Sequence, residues 1–173
     1  MSELQRIWAG WRSAYVSGTE KDRVPEGTGS VFERLLASGR PDSETYVLWR
    51  GQHCAAILNA YPYGTGHLLV LPQAAVPDLL DLSAAAHDEL WRGVRAGVHA
   101  IRTAYDPDGV NVGTNLGSAG GASIPGHLHV HCLPRWRADT TFLATVAETR
   151  MLPEPIDLTW EKLRDAWPAD DAG

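Results

Sequence analysis

The sequence predicts an α+β fold with a mainly antiparallel sheet, and three observations carry this prediction. About five short runs are apolar or alternating, as strands are. One long segment places apolar residues at helical spacing. The strand-like runs cluster around that helix without the regular alternation of parallel βαβ units. The length of 173 residues, with 44% hydrophobic and 21% charged residues, fits one domain with short appendages.

The N-terminal region predicts an amphipathic helix followed by a linker. Apolar side chains recur at helical spacing at Leu4, Trp8, Trp11 and Tyr15, a stripe that would dock on the domain or on a second subunit. Residues 18–29 are polar and rich in turn formers. We therefore predict a helix and linker over 1–29, the main domain over 30–150 and a helical tail over 151–173.

The remaining elements follow in order along the chain. A short helix is predicted around Val31 and Leu35. Strands are predicted over 44–50, 54–58, 67–71, 110–116 and 127–133. A long helix begins after the N-cap Ser83, presents Leu90, Val94 and Ile101 on one face, and stops before the turn at 106–109. A last short helix is predicted over 160–167.

Charge, cysteine content and hydropathy exclude several classes of protein. A net charge of -6 argues against general nucleic-acid binding, since phosphate contacts need clustered positive charge. Cys54 and Cys132 are far apart, so a secreted disulfide framework is not indicated, although a single bridge stays open. The chain shows no leader pattern and no apolar run of about 18 residues. We expect a cytoplasmic protein that binds neither nucleic acid nor membrane.

Three histidines at alternate positions form the strongest motif in the chain. They lie in the run HLHVHCL from His127 to Leu133. On a strand, His127, His129 and His131 share one face at a spacing of roughly 6.5–7 Å. A structural histidine ladder, a zinc site and phosphate chemistry are the competing interpretations. The segment that precedes the motif favours phosphate chemistry.

That segment, from Gly113 to Gly126, contains five glycines in fourteen residues. Glycines let the backbone approach an anion closely, and the N–H groups of Gly121, Ala122 and Ser123 could form an anion nest. Asn115, Ser118 and Ser123 add side-chain donors. The loop is neither a Walker loop nor a dinucleotide-binding fingerprint, because no Gly-Lys-Ser/Thr follows and it leads into a strand.

The run from His127 to Leu133 resembles the signature of the histidine triad (HIT) family, in which three histidines alternate with apolar residues. Residues 57–67 are similar to the family's upstream segment, and residues 110–117 to its phosphate-loop strand. The segment from Leu133 to Phe142 resembles bacterial members related to diadenosine polyphosphate hydrolases and phosphorylases. The likeness spans roughly residues 30–167.

This resemblance implies a homodimeric α+β protein that acts at the α-phosphorus of nucleoside phosphates. By position, His129 resembles the nucleophile, and His127 and His131 resemble the histidines that contact the phosphate and the leaving group. His67 resembles the fourth histidine, which orients the triad. Asn59 matches the ribose-contacting position, Asn115 and Ser123 match phosphate-contacting positions, and we predict that Trp136 contacts substrate.

The predicted activity is nucleotidyl hydrolysis or transfer through a covalent nucleotidyl-histidine. Two alternatives remain: a phosphorylase that splits diadenosine tetraphosphate with inorganic phosphate, and a non-catalytic nucleotide-binding module. A zinc hydrolase is a third. Many bacterial relatives carry Cys-x-x-Cys where this chain has Ser30 and Glu33, so we predict no structural zinc there. No cofactor is expected beyond a magnesium ion carried by the polyphosphate.

Overall fold

Five antiparallel strands form one sheet in the order β1-β2-β3-β5-β4. The structure is a computed structural model that describes residues 27–137, 139 and 154–169. Its strands are β1 (Val47–Arg50), β2 (Cys54–Leu58), β3 (Leu68–Pro72), β4 (Gly109–Thr114) and β5 (Val130–Arg135). The α+β fold with a mainly antiparallel sheet is confirmed.

Four α-helices accompany the sheet within the described residues. They are α1 (Val31–Leu36), α2 (Asp42–Thr45), α3 (Ala84–Tyr105) and α4 (Ile156–Asp165). Single 3-10 turns occupy Leu79–Asp81 and Ser118–Gly120. The long helix begins where the sequence predicts, because the Ser83 side chain accepts a hydrogen bond from the N–H of Ala86. The predicted helix bearing Leu4–Tyr15 lies outside the described residues.

The predicted strand over 44–50 is wrong in its first part. Residues 42–45 form α2, and the strand begins only at Val47. Thr45 donates its side-chain hydroxyl to the carbonyl of Pro41, and Tyr46 adopts a left-handed conformation with φ of 57° that ends the helical turn. A side-chain bond to a nearby carbonyl competes with strand pairing. The loose alternation of apolar and polar residues over 44–50 gives no sign of this bond.

Apolar clusters cover both faces of the sheet, and the cluster on one face is larger than that on the other. On one face α3 and α4 pack against the main core, which includes Leu68, Val70 and Val130. A second cluster on the other face brings Phe32 of α1 against Ile57, Leu69 and Leu71. Burial of these side chains from water fixes the register of the central strands, because a slip by one residue would exchange the two faces.

The C-terminal segment is part of the main core. Trp160 donates its indole N–H to the carbonyl of Val47 at 2.8 Å, and Leu163 is fully buried. The last helix spans Ile156–Asp165, so it begins earlier than the predicted 160. The division of the chain at residues 29 and 150 stays a prediction.

The two cysteines are free thiols buried in the sheet. Burial raises the pKa of Cys54 and of Cys132 to about 12, so both stay protonated at neutral pH. The disulfide left open by the sequence is therefore absent. None of the helices in the described part of the chain has the length and apolar character needed to cross a membrane.

Candidate active site

The three histidines of the motif lie just before β5 and at its start, on the sheet face opposite the long helix. Pairing begins only at Val130, three residues later than predicted, because the N–H of Leu128 bonds to the carbonyl of Val76 outside the sheet. The alternation nevertheless holds through this segment. Leu128, Val130 and Cys132 are buried in the main core, which directs the intervening imidazoles to the other face.

The ring of His127 is held at both nitrogens. Its Nε2 lies 2.7 Å from the carbonyl oxygen of Pro72, which can only accept, so Nε2 carries the proton. Burial lowers the pKa of His127, which favours the neutral ring. Nδ1 is then an acceptor, and the hydroxyl of Ser30 donates to it at 2.5 Å. No nitrogen of this ring is left for the phosphate contact that the resemblance implies.

His129 has the opposite arrangement, with one nitrogen fixed and one available. Its Nδ1 lies 2.8 Å from the backbone carbonyl oxygen of His127, so Nδ1 carries a proton and donates. In the neutral ring the lone pair is therefore on Nε2. No described residue forms a hydrogen bond with that Nε2. The arrangement presents an imidazole lone pair in a fixed tautomer.

A second chain of hydrogen bonds fixes His131 through His67. The backbone N–H of Tyr63 donates to Nδ1 of His67 at 3.0 Å, so the neutral ring carries its proton on Nε2. That Nε2 lies 2.9 Å from Nδ1 of His131, which accepts. Burial lowers the pKa of His131 and the neighbouring His129 adds to the effect. Neutral His131 therefore carries a proton on Nε2.

This Nε2–H of His131 is a buried donor that no other group in the described part of the chain accepts. A buried donor without a partner costs free energy, of order 1–3 kcal/mol. Such a cost is offset when a ligand supplies the acceptor. The donor and the Nε2 lone pair of His129 belong to rings whose centroids are 5.0 Å apart, so one phosphate group can face both.

Aromatic side chains confine the histidines on two sides. Phe32 of α1 meets the rings of His127 and His129 edge-on, with centroid distances of 5.2 and 5.5 Å. Tyr63 stacks on His131 at 5.6 Å. On the third side His131 is paired with Gly113 of β4, where an added Cβ would meet nothing within 4 Å. The glycine leaves open space beside the donor.

The glycine-rich loop differs from the predicted anion nest. The N–H of Gly121 donates to the carbonyl of Ser118, and that of Ala122 donates to the carbonyl of Gly117. Both groups are thus used within the turn, so the nest predicted across three residues is wrong for two of them. Asn115 also bonds inside the loop, from its side-chain amide to the carbonyl of Gly121 at 3.4 Å. Ser123 is exposed.

Of the two other predicted substrate contacts, Asn59 lies beside the histidines and Trp136 lies away from them. The side chain of Asn59 lies 3.3 Å from Nδ1 of His67 and accepts from the N–H of Tyr61, so it is adjacent to the histidines. Trp136 follows the far end of β5, about 16 Å along the strand from His131. It packs edge-on against Tyr105 of α3. Within one chain the structure does not bring Trp136 beside the triad, and its contact with substrate stays a prediction.

Sequence reasoning missed four contributors to the site. In the sequence Ser30 stands out only as a departure from a zinc motif, and no pattern marks Phe32, Tyr63 or the carbonyl of Pro72. Ser30 and Glu33 have the spacing of a capping box, which predicts a helix start at that point. No sequence pattern would have placed that start beside His127, because 97 residues separate the two.

Comparisons with known proteins agree with this geometry. The family model described as "HIT domain" matches residues 40–138. The chain is 34% identical over 166 residues to a Mycobacterium tuberculosis protein named AP-4-A phosphorylase, covering 95% of this chain and 85% of the relative. It is 38% identical over 93 residues to a Schizosaccharomyces pombe bis(5'-nucleosyl)-tetraphosphatase, covering 54% of this chain and 50% of the relative.

A solved structure shares the fold. The hypothetical histidine triad nucleotide-binding protein ST2152 of Sulfolobus tokodaii superposes with a TM-score of 0.64 at 27% identity, over 79% of this chain and 91% of that one. The alternating histidines lie on an antiparallel sheet, and the family model covers residues 40–138, more than half of the chain. This chain belongs to the HIT domain family.

The lowered pKa values of His127 and His131 make stability depend on pH. The unfolded chain takes up these protons near the ordinary histidine pKa of about 6.5, whereas the folded protein resists them. Stability is therefore full above about pH 6.5 and falls as the pH decreases below it, by up to ~1.4 kcal/mol per pH unit for each histidine. Urea unfolding between pH 5.5 and 7.5 measures the slope.

His131→Asn should make this slope shallower, because it removes one of the two groups. His99→Asn, which changes an exposed histidine on α3, is the matched control and should leave the slope as in the parent protein. Equal slopes for the parent and His131→Asn would contradict the assignment.

Proposed function

We propose that the protein is a nucleotidyltransferase that cleaves dinucleoside polyphosphates at the α-phosphorus through a covalent bond to His129. The observation that carries this proposal is the fixed tautomer of His129, whose Nδ1–H is bound to the carbonyl of His127. A nucleophile must offer a lone pair, and with the proton of the neutral ring on Nδ1 that lone pair lies on Nε2, so no separate base is needed. The names of the relatives supply the substrate class.

The first step forms a bond between Nε2 of His129 and the α-phosphorus. The bond from phosphorus to the bridging oxygen breaks, and its electron pair leaves with that oxygen. With diadenosine tetraphosphate, the enzyme then holds AMP on His129 and releases ATP. The Nε2–H of His131 donates to the leaving oxygen, and the carbonyl of His127 stabilises the positive charge that develops on the imidazole.

In the second step an oxygen of inorganic phosphate attacks the same phosphorus. The bond to Nε2 breaks and its electron pair returns to His129. The product is ADP, so the sum is diadenosine tetraphosphate plus phosphate giving ATP plus ADP. Water in place of phosphate would give AMP. We favour phosphate, since the relative named as a phosphorylase matches 95% of this chain and the tetraphosphatase matches 54%.

In this proposal the other site residues bind or position. His127 acts through its backbone oxygen, and His67 sets the tautomer of His131. The N–H and hydroxyl of Ser123, with the side chain of Asn115, line the open side of the loop where phosphate oxygens would lie. Asn59 has a second amide hydrogen for the nucleoside. A non-catalytic binding module is the weaker alternative, because it has no use for an oriented lone pair on His129.

No resident metal enters this mechanism. In the described part of the chain, no three His, Cys, Asp or Glu side chains are grouped so as to hold a metal ion. Ser30 and Glu33, at the position of the relatives' Cys-x-x-Cys, bond to one another and to His127 and Ala75. These contacts support our prediction of no structural zinc. A magnesium ion would arrive with the polyphosphate, whose oxygens are its preferred ligands.

We also propose that the enzyme is a cytoplasmic homodimer. The resemblance implies two subunits, and β4 supports this because it lies at the edge of the sheet with Val112 42% exposed. The interface should exceed about 1,200 Å², the lower range for stable complexes. Light scattering at micromolar concentration should give twice the chain mass of 18.8 kDa. A mass of one chain would contradict the proposal.

The choice of acceptor is tested by product analysis. The protein is incubated with diadenosine tetraphosphate, with and without inorganic phosphate, and the nucleotides are identified by mass. We expect ATP and ADP with phosphate and little turnover without it. AMP and ATP in equal amounts under both conditions would show that water is the acceptor. No turnover under either condition would contradict the proposed substrate class.

Replacing the nucleophile tests the covalent step. His129→Ala should lower kcat by at least ~10⁴, as loss of a covalent nucleophile does in other enzymes. The equilibrium affinity for a non-cleavable dinucleotide should change little, since the loop and Asn59 remain. His99→Ala is the control and should keep full kcat. Turnover by His129→Ala within tenfold of the parent would exclude a nucleotidyl-His129 intermediate.

A further inference from the structure

We propose that Ser30 is a positioning residue for the nucleophile and that it acts on His129 through the ring of His127. The inference rests on the proposed function, because it assigns Ser30 a part in the same reaction. Its starting point is a short hydrogen bond: the hydroxyl oxygen of Ser30 lies 2.5 Å from Nδ1 of His127. Ser30 touches no reacting atom in this scheme.

The helix cap fixes the direction of the Ser30 hydroxyl. Ser30 is the N-cap of α1, and its oxygen accepts from the N–H of Glu33 at 3.1 Å. The hydroxyl proton is then free to donate elsewhere, and Nδ1 of His127 is the acceptor in reach. A capping serine ordinarily satisfies only its own helix. Here the same side chain also bonds to a ring that belongs to the triad.

A carboxylate anchors this cap to the rest of the fold. Glu33 accepts from the N–H of Ser30 at 2.8 Å and from the N–H of Ala75 at 2.9 Å. The bond from Ala75 has the larger effect, and together the two bonds lower the pKa of Glu33. The carboxylate is therefore ionised at neutral pH. Ala75 precedes Val76, whose carbonyl bonds to the N–H of Leu128. The cap is thus tied to the segment that bonds to Leu128, the residue after His127.

The orientation of His127 is transmitted to His129 by one backbone oxygen. The His127 ring is anchored at Pro72 on one side and at Ser30 on the other. With both anchors present, the peptide that carries the His127 carbonyl faces Nδ1 of His129 at 2.8 Å. Without the hydroxyl, Nδ1 of His127 becomes a buried acceptor with no donor, which is unfavourable. A ring that shifts displaces the Cα of His127, and this displacement passes to the carbonyl, whose peptide is held on its other side by the bond from the N–H of Leu128 to Val76.

A purely structural role for Ser30 as a helix cap is the competing explanation. Glycine is an N-cap of nearly the same quality as serine, but it has no hydroxyl. Threonine keeps both the cap and the hydroxyl, and the Ser30 position is partly exposed. Ser30→Gly and Ser30→Thr therefore separate the bond to His127 from the cap.

The experiment measures kcat and KM of the full chain with diadenosine tetraphosphate and phosphate. Ser30→Gly should lower kcat by about 10–100-fold, the range seen when an outer partner of a functional histidine is removed. KM should change less than about threefold, because no substrate contact is lost, and Ser30→Thr should keep at least about a third of kcat. Ser38→Gly is the matched control. It removes a hydroxyl that accepts from the N–H of Arg40 at 3.3 Å beyond the other end of α1, and it should match the parent.

Imidazole ¹⁵N NMR provides a readout that does not depend on turnover. The parent should show an unprotonated, hydrogen-bonded Nδ1 at His127 and a protonated Nδ1 at His129. Ser30→Gly should shift the Nδ1 signal of His127 and lower the Nδ1–H population of His129, while Ser30→Thr should show the parent pattern. If the parent protein fails to cleave dinucleoside polyphosphates, the proposed function is wrong, and these spectra still decide the role of Ser30.

Two results would overturn the proposal. One is a kcat for Ser30→Gly within twofold of the parent, or spectra of His127 and His129 that do not change. The other is an equal loss of kcat in Ser30→Gly and Ser30→Thr, since that would show that the hydroxyl bond is not the feature that matters.

Discussion

The packing of β5 against the long helix is the constraint from which the site follows. Leu128, Val130 and Cys132 are at most 2% exposed and lie in the main core. Because side chains alternate along an extended chain, burying these three directs the histidines between them to the opposite face. A shift by one residue would place imidazoles in the core and apolar side chains at the site. Burial of the apolar side chains therefore orients the histidines independently of the hydrogen bonds among them.

Fixed backbone groups then decide which nitrogen of each ring carries the proton. The carbonyl of Pro72 can only accept, so it fixes the proton on Nε2 of His127. The N–H of Tyr63 can only donate, so Nδ1 of neutral His67 carries no proton. The result is a site with two differently prepared imidazoles. His129 offers a lone pair and His131 offers a proton, although their rings are neighbours on one face. A nucleophile and a donor to the leaving oxygen are what displacement at phosphorus needs.

The sequence was sufficient for the fold class, the long helix with its Ser83 cap and the face shared by the three histidines, because each rests on periodicity or local capping. It was not sufficient where long-range geometry decides. Nothing near Ser30 shows that its hydroxyl meets His127, and nothing in the glycine-rich loop shows that the N–H groups of Gly121 and Ala122 close a turn. Its nearness to the motif in the sequence predicts that Trp136 lies at the site, whereas the length of β5 and packing against Tyr105 set its position.

The central claim is that His129 carries the nucleotide between two displacements, and the stereochemistry at phosphorus tests it most directly. An analogue of diadenosine tetraphosphate with a chiral thiophosphate at the α position is cleaved in the presence of phosphate. The configuration of the resulting ADP thio analogue is then assigned by ³¹P NMR. Each in-line displacement inverts the centre, so two displacements through a nucleotidyl-His129 give net retention. Net inversion would show that the acceptor attacks the substrate directly and that no bond to His129 forms.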